Sequence, residues 1–289
     1  MNTTHQILNE VLLQIHPNKV PQPQKDALNT FKQEVTVFLQ QHYRLRDERV
    51  GDPFAGGSQA KGTDIALGYD LDLFVPFKHG FRGKPQAIKA DLLNTLRARF
   101  AQTGVEVRDQ RVSVGLRKLT GMFTLQIDVV PGMELEKHPY QHNSDKEEDK
   151  NLILYDRESS KERTTNVARQ IRLIKNEMTQ YRDTVRLLKA WRHKHDHILG
   201  SYALELLVYR ASKLPDAPKN GSHDVLLRHV LKQSIPFLEK DGELQDIGAN
   251  YKWPDYLKPG AKTQLAGLWK KLLAALDGKD MSLLRSFFP

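Results

Sequence analysis

Apolar residues recur along the chain with two periods, and the changeover between them divides it. Leu28, Phe31, Val35, Phe38 and Leu39 fall on one face of a 3.6-residue repeat, which predicts one long amphipathic helix from about Pro23 to Tyr43. The run DLDLFVPF, Asp70 to Phe77, alternates with a period of two and reads as a strand. After the turn-like KHGFRGKP comes a helix that opens near Pro85, a position where proline's missing N–H costs little. Two further strand-like runs follow, VEVRDQRVSVGLRKL and MFTLQIDVV, the second closed by Pro131 and Gly132. The stretch MELEKHPYQHNSDKEEDKNL is polar and charged and reads as an exposed connector. From Thr164 onward NVARQIRLIKNEM, YRDTVRLLKAWRHK, SYALELLVYRAS and VLLRHVLKQSIPFLEK all show the helical period. The expected architecture is α+β: a lobe at 1–160 with a mixed or antiparallel sheet flanked by helices, then an all-helical lobe at 161–289. The cleft between such lobes is where a ligand is expected.

Composition narrows the chemistry. At 289 residues the chain can bury a sizeable core, and 39% hydrophobic with 27% charged residues is ordinary for a globular protein. No run approaches the roughly 18 apolar residues of a membrane helix. The first residues lack the pattern of a secretory signal, so a cytoplasmic protein without a membrane partner is expected. The absence of cysteine excludes disulfides, zinc–thiolate sites and a cysteine nucleophile. A net charge of +9 and a pI near 9.5 fit an anionic partner, either nucleic acid or nucleotide phosphates, and equally a basic surface that serves solubility.

Aspartate is depleted in strands, so the pair in DLDLFVPF calls for a reason. Alternation places Asp70, Asp72 and Phe74 on one face and Leu71, Leu73 and Val75 on the other. In FTLQIDVV it places Thr124, Gln126 and Asp128 opposite a core face of Phe123, Leu125, Ile127 and Val129. Carboxylates this close repel unless a cation lies between them, and hard oxygen ligands suit Mg²⁺ or Mn²⁺. Three aspartates on adjacent strands could hold two ions about 4 Å apart, the arrangement that stabilises both the attacking and the leaving oxygen of phosphoryl transfer. The plainer alternative is the solvated face of a sheet, which suits Asp128 taken singly better than it suits the pair. Just upstream, Gly56 and Gly57 allow a tight turn that brings N–H groups to an anion, and Ser58 adds a hydroxyl.

Gly57-Ser58, eleven intervening residues, Asp70-Leu71-Asp72 and a later Asp128 resemble the signature of nucleotidyltransferases of the DNA polymerase β superfamily. Within it, GGSQAKGT and VRLLKAWRHKHDHILGSYALELLVYRAS look like the branch of 2′-5′ oligoadenylate synthetase and cyclic GMP-AMP synthase. At this length the chain is most similar to the bacterial CD-NTases, cyclic-oligonucleotide synthases of anti-phage (CBASS-type) signalling. The resemblance covers about Phe54 to Arg210 and implies residue roles. Asp70, Asp72 and Asp128 would hold two Mg²⁺ ions, with Mn²⁺ as a substitute, and Asp128 would help activate the attacking ribose hydroxyl. Gly57, Ser58, Lys189 and Ser201 would contact the donor triphosphate, and Tyr202 would stack on a base. For Lys189 the plain alternative is a solvated helix position, and for Tyr202 a core aromatic.

Three functions are open at this point. One is condensation of NTPs into a cyclic di- or oligonucleotide. A second is linear, template-independent transfer, either 2′-5′ oligoadenylate synthesis or RNA tailing. The third is a catalytically dead fold used as a binding module, which retention of all three aspartates argues against. Partners implied are NTP substrates and regulatory or effector proteins of a defence operon; no motif indicates nucleic acid binding. The zinc-binding insertion of the animal enzyme is absent, and HKHDH (His193, His195, His197) reads as a solvated turn. Asn166 and Arg169 are either base-edge readers or surface polar groups. Residues after about 215 match no family segment. The final SFFP differs from the small terminal residue of members conjugated through their C-terminus.

Overall fold

The structure is a computed structural model that describes residues 3–137, 139–141, 143–195, 199–240, 242–248, 252–253 and 260–289. It divides into two compact units. A sheet unit takes in Val20–Lys61 and Tyr69–Ile171, and a helical unit takes in Met1–Lys19, Gly62–Gly68 and Arg172–Pro289. This division is discontinuous, where the sequence reading draws a single boundary at 160. The physical reason at the N-terminus is helix α1 (Thr4–Ile15), whose stripe of Ile7, Leu8, Val11 and Ile15 is buried in the core of the helical unit.

In the sheet unit, α2 (Gln22–His42) realises the long N-terminal repeat and buries Leu28, Phe31, Val35 and Leu39. It is followed by β1 (Phe54–Ala55), the short α3 (Gly57–Lys61), β2 (Leu71–Phe77) and α4 (Pro85–Phe100), with Pro85 in its first turn. Then come β3 (Val105–Asp109), β4 (Val114–Thr120) and the long β5 (Phe123–Glu134). The seven-stranded mixed sheet has the order β1-β2-β5-β4-β3 and is extended off β5 by β6 (Leu152–Asp156) and β7 (Lys161–Thr165). Only β2 and β5 run parallel among these neighbours. Leu71, Leu73 and Val75 of β2 and Leu125, Ile127 and Val129 of β5 meet α2 and α4 in one apolar cluster. The opposite face of both strands is thereby left for polar side chains.

Two expectations are corrected here. Pro131 and Gly132 do not end β5, which pairs with β2 through Val75↔Pro131 and Pro76↔Gly132 to Phe77↔Met133. The β4 ladder ends at Val129 and the β6 ladder begins at Met133, so a residue without an N–H sits where the strand pairs on one side only. Gly132 also makes room for β6, since a Cβ there would lie 2.8 Å from the Leu152 side chain. The exposed connector is likewise anchored at its start: the buried Glu134 carboxylate accepts N–H groups from His79 at 3.1 Å and Tyr140 at 2.9 Å. The β6–β7 hairpin has no counterpart in the sequence reading.

The run 166–178 is not one helix. After α5 (Val167–Arg172) the chain makes a π turn at Leu173–Glu177. The helical unit is then built from α6 (Arg182–Lys194), α7 (Ser201–Ser212), α8 (His223–Glu239), α9 (Ala261–Asp277) and α10 (Met281–Ser286) around Trp191, Trp269 and Leu207. It also carries a two-stranded ladder, Leu244–Gln245 with Lys252–Trp253, so it is not purely helical. His193 lies in the last turn of α6 and is exposed, whereas the His195 ring stacks on Trp191 with centroids 4.7 Å apart. His197, and parts of the late stretch from Phe237 to Gly260, lie outside the described residues. No helix among the described residues is long and apolar enough to cross a membrane.

Candidate active site

The Gly-Gly-Ser turn is shaped by what it passes. β1 pairs with β2 through Phe54↔Phe74 and Ala55↔Leu73, and the Gly56 N–H then donates to the Asp72 carbonyl at 3.0 Å. A Cβ on Gly56 would sit 2.4 Å from the Phe74 ring. On Gly57, whose φ is +64°, it would sit 1.6 Å from Asp72 Oδ2. Both glycines are therefore required, Gly57 twice over, because a left-handed φ already disfavours a side chain. Ser58 follows, half-buried in the first turn of α3. Gln59 Nε2 donates to the Asp70 carbonyl at 2.9 Å and so ties this turn to the residue before β2.

The aspartates come together through strand register. Asp72 and Asp128 are direct partners in the parallel β2–β5 ladder, which places neighbouring backbones about 4.8 Å apart. Asp70 lies one residue before β2. Burial, and then the negative charge of Asp70, push the Asp128 carboxyl up to about 6, against the opposing effect of hydrogen bonds from Gln110 and Gln126. Asp128 Oδ1 is buried with no hydrogen-bond partner among the described residues. On the other side of β5, Gly115 is the partner of Asp128, and a Cβ there would lie 2.4 Å from Gln110 Nε2 and 3.3 Å from Asp128 Oδ1. The Gln110 amide is oriented by Ser113, whose hydroxyl donates to its oxygen. Gly115, Gln110 and Gln126 are site residues that the sequence reading missed. The one available signal was a glycine inside a strand-like run, which often marks a close approach.

These observations bear on a metal. The donor set is all oxygen and anionic, which suits a hard divalent cation. A buried carboxyl raised in this way, with one oxygen lacking a hydrogen bond, is the form such a group takes without a counter-charge. Among the described residues no three His, Asp or Glu side chains form a group placed to hold a metal ion.

A pH dependence follows. Because the folded-state value of Asp128 lies near 6, above its ordinary value of 3.8, the metal-free protein loses stability as pH rises through that window. Asp128→Asn is therefore expected to melt above the wild type at pH 7.5 in chelator, with the gap closing below about pH 4. Thermal melts of the two proteins across that range check it, since groups that do not interact with Asp128 cancel in the difference.

Lys189, Ser201 and Tyr202 lie in the helical unit. Lys189 on α6 is 5% exposed, and its Nζ donates to Glu205 Oε1 at 2.8 Å and Thr63 Oγ1 at 3.0 Å. It is a buried, engaged cation and not a solvated one. Ser201 opens α7, and its Oγ accepts from Arg192 at 3.3 Å. Tyr202 is half-buried at the edge of the core, and its hydroxyl donates to Asp246 Oδ2 at 3.1 Å. Asp246 is fully buried, and its Oδ1 accepts the Gly248 N–H at 2.6 Å. Asn166, in the sheet unit, is buried and so not a surface group: its Oδ1 caps α5 by accepting the Arg169 N–H at 2.9 Å, and its Nδ2 donates to Asn151 at 3.0 Å.

No protein-family model matches the sequence, and no curated protein matches it. Solved structures do. E. coli CdnC, in its complex with HORMA-deltaN, matches with a TM-score of 0.70 at 15% identity, over 98% of this chain and 95% of that one. The Bradyrhizobium diazoefficiens CD-NTase CdnG in complex with GTP gives 0.70 at 14% identity, over 98% and 94%. The Elizabethkingia meningoseptica CdnE cyclic dinucleotide synthase with GTP and Apcpp gives 0.65 at 17% identity, over 94% and 99%. The chain has the CD-NTase fold.

Proposed function

We propose that this protein is a nucleotidyltransferase that condenses NTPs into a cyclic di- or oligonucleotide second messenger, with release of pyrophosphate. The observation that carries the reading is the cross-strand pair Asp72–Asp128 with the Gly57 backbone pressed against the Asp72 carboxylate. Nucleotide-bound neighbours of the same fold support NTPs as the substrate class. Asp70, Asp72 and Asp128 would hold Mg²⁺, with Mn²⁺ as a substitute, which when bound neutralises charge developing on the phosphates.

The chain's own residues account for the rest of the chemistry. A ribose hydroxyl oxygen attacks the α-phosphorus, the bond to pyrophosphate breaks, and the hydroxyl proton passes to a base. The family resemblance assigns Asp128 to the activation of that hydroxyl, and its buried carboxylate beside the reacting groups suits a proton acceptor. The Gly57 and Ser58 N–H groups and the Ser58 hydroxyl are donors suited to the triphosphate; the family resemblance assigns Ser201, which opens the twelve-residue α7, to the triphosphate too, and a helix N-terminus favours an anion. Tyr202, held by its hydroxyl, offers a ring face to a base. Lys189 is also assigned to the triphosphate by the family resemblance, but its ammonium is committed to Glu205 and Thr63. A role in anti-phage signalling, cytoplasmic, under regulatory or effector proteins, belongs to the same reading. The HORMA complex of the E. coli neighbour supports protein partners.

The test is incubation of the purified protein with all four NTPs and Mg²⁺, followed by phosphatase and nuclease P1 treatment and mass spectrometry. A phosphatase-resistant product without a terminal phosphate is expected. Linear products extended on added RNA would replace ring closure by tailing, and nucleotide binding without turnover would leave a binding module.

A further inference from the structure

Between Ser58 and Asp70 the chain departs from the sheet unit for seven residues, Gly62–Gly68, which belong to the helical unit. The excursion is anchored there along its length. Ile65 joins the apolar core of that unit. The Ala66 N–H donates to the Ile15 carbonyl of α1 at 2.7 Å, and the Asp64 carbonyl accepts from Arg186 Nε of α6 at 3.3 Å. Its ends are glycines with left-handed backbone, Gly62 at φ +68° and Gly68 at φ +67°. At Gly68 a Cβ would meet nothing within 4 Å among the described residues, so this glycine serves the turn of the backbone and not close packing.

The anchor's centre is polar and buried. Thr63 is fully buried; its hydroxyl donates to Glu205 Oε1 at 2.8 Å and accepts from Lys189 Nζ at 3.0 Å. Lys189 and Glu205 pair at 2.8 Å, with side chains 5% and 2% exposed. Burying two charges is costly unless both are paired and hydrogen-bonded, and apolar residues of like volume would hold two helices together at least as well. What the polar triad adds is a single register, because the hydroxyl of Thr63 satisfies both charges in one position only.

We infer that Lys189, Glu205 and Thr63 form a strap that restrains the backbone from Ser58 to Asp70. Thr63 and Glu205 are thus positioning residues for nucleotidyl transfer, and Lys189 acts through them. This rests on the nucleotidyltransferase reading. Ser58 lies four residues before the excursion and Asp70 two after it, so slack in the strap is transmitted along a short length of chain. Misplacement of reacting groups by about 1 Å costs up to about 10²-fold in rate.

Thr63→Val, which keeps the volume and removes the hydroxyl, tests this against Thr63→Ser, which keeps the hydroxyl. Thr63→Val is expected to lose about tenfold or more in kcat, with KM for NTP within about twofold of wild type, and Thr63→Ser is expected to restore most of kcat. Glu205→Gln and Lys189→Met should each lower kcat, and their combination should cost no more than the worse single change. Amide exchange, measured on the nucleotide-free protein, should quicken about tenfold across residues 62–68 in Thr63→Val and not elsewhere in the helical unit. Wild-type kcat and wild-type exchange in Thr63→Val would overturn the strap. A fall in KM on Glu205→Gln would also overturn it, by showing a lysine released to bind phosphate. A wild-type protein without turnover would sink the enzyme reading, and the exchange comparison would still decide whether the strap holds the segment. Should the charge variants fail to fold, the two Thr63 variants carry the test.

Discussion

Asp72→Asn is expected to lower nucleotidyl transfer by about 10³-fold or more, while the metal-free protein remains at least as stable as wild type. The two halves of this expectation come from one feature. Asp72 stands opposite Asp128 in the β2–β5 ladder, and Asp70 raises the Asp128 carboxyl by its charge. Asp72 and Asp128 are cross-strand partners of like charge, so replacing one by a neutral isostere relieves repulsion in the metal-free protein. The same removal deletes an oxygen ligand and the charge that an incoming cation needs. Asparagine keeps the shape of the side chain, so the contact with Gly57 survives. Initial rates with NTPs and Mg²⁺, together with melts in chelator, check both halves. Activity within tenfold of wild type would overturn the metal assignment, and a large loss of stability would make the aspartate a structural residue.

Gly57→Ala carries the second large effect. An added methyl would stand 1.6 Å from Asp72 Oδ2, at a φ of +64°. The conformational strain costs roughly 1–2 kcal/mol. The clash is the larger matter, because it is relieved only by moving the turn or the carboxylate. Turnover is expected to fall about 10²-fold or more, with a lowered melting temperature. Gly121→Ala supplies the control. Gly121 joins β4 to β5 at φ +57°, and a Cβ there meets nothing within 4 Å among the described residues. It should show the strain cost in the melt with turnover unchanged. Equal activity losses in the two variants would show that the Gly57 effect is merely strain.

The parts of this protein legible in the residues are those governed by local periodicity. The 3.6-residue repeat of Leu28, Phe31, Val35 and Leu39 is recovered as the buried face of α2. Alternation in DLDLFVPF and FTLQIDVV is recovered as one face buried against helices, with Asp72 and Asp128 on the other. The Gly-Gly-Ser turn was legible as a close approach, though not as an approach to Asp72 itself. Where the reading stopped, a local cue had been overruled by a distant partner. Pro131 and Gly132 look like a terminator, yet β2 pairs past them and Leu152 packs over the glycine. The β6–β7 hairpin, which follows the connector, went unread because strands made of LILYD and KERTT declare themselves only once paired.

Lys189 shows the same division at the level of chemistry. As a residue on a helix it reads as a free point charge for phosphate. Its actual environment is set by Glu205, 16 residues on, and by Thr63, 126 residues back. The sequence by itself determined which side chains share a face, because that depends on backbone geometry repeated every two or 3.6 residues. It also placed the three aspartates and the glycine turn in order. Tertiary structure decided that Asp72 meets Asp128, that Asp128 titrates near 6, and that residues 62–68 belong with the helices. Register, burial and ionisation are properties of pairs of residues far apart in the chain, and such pairs come into contact only when the chain has folded.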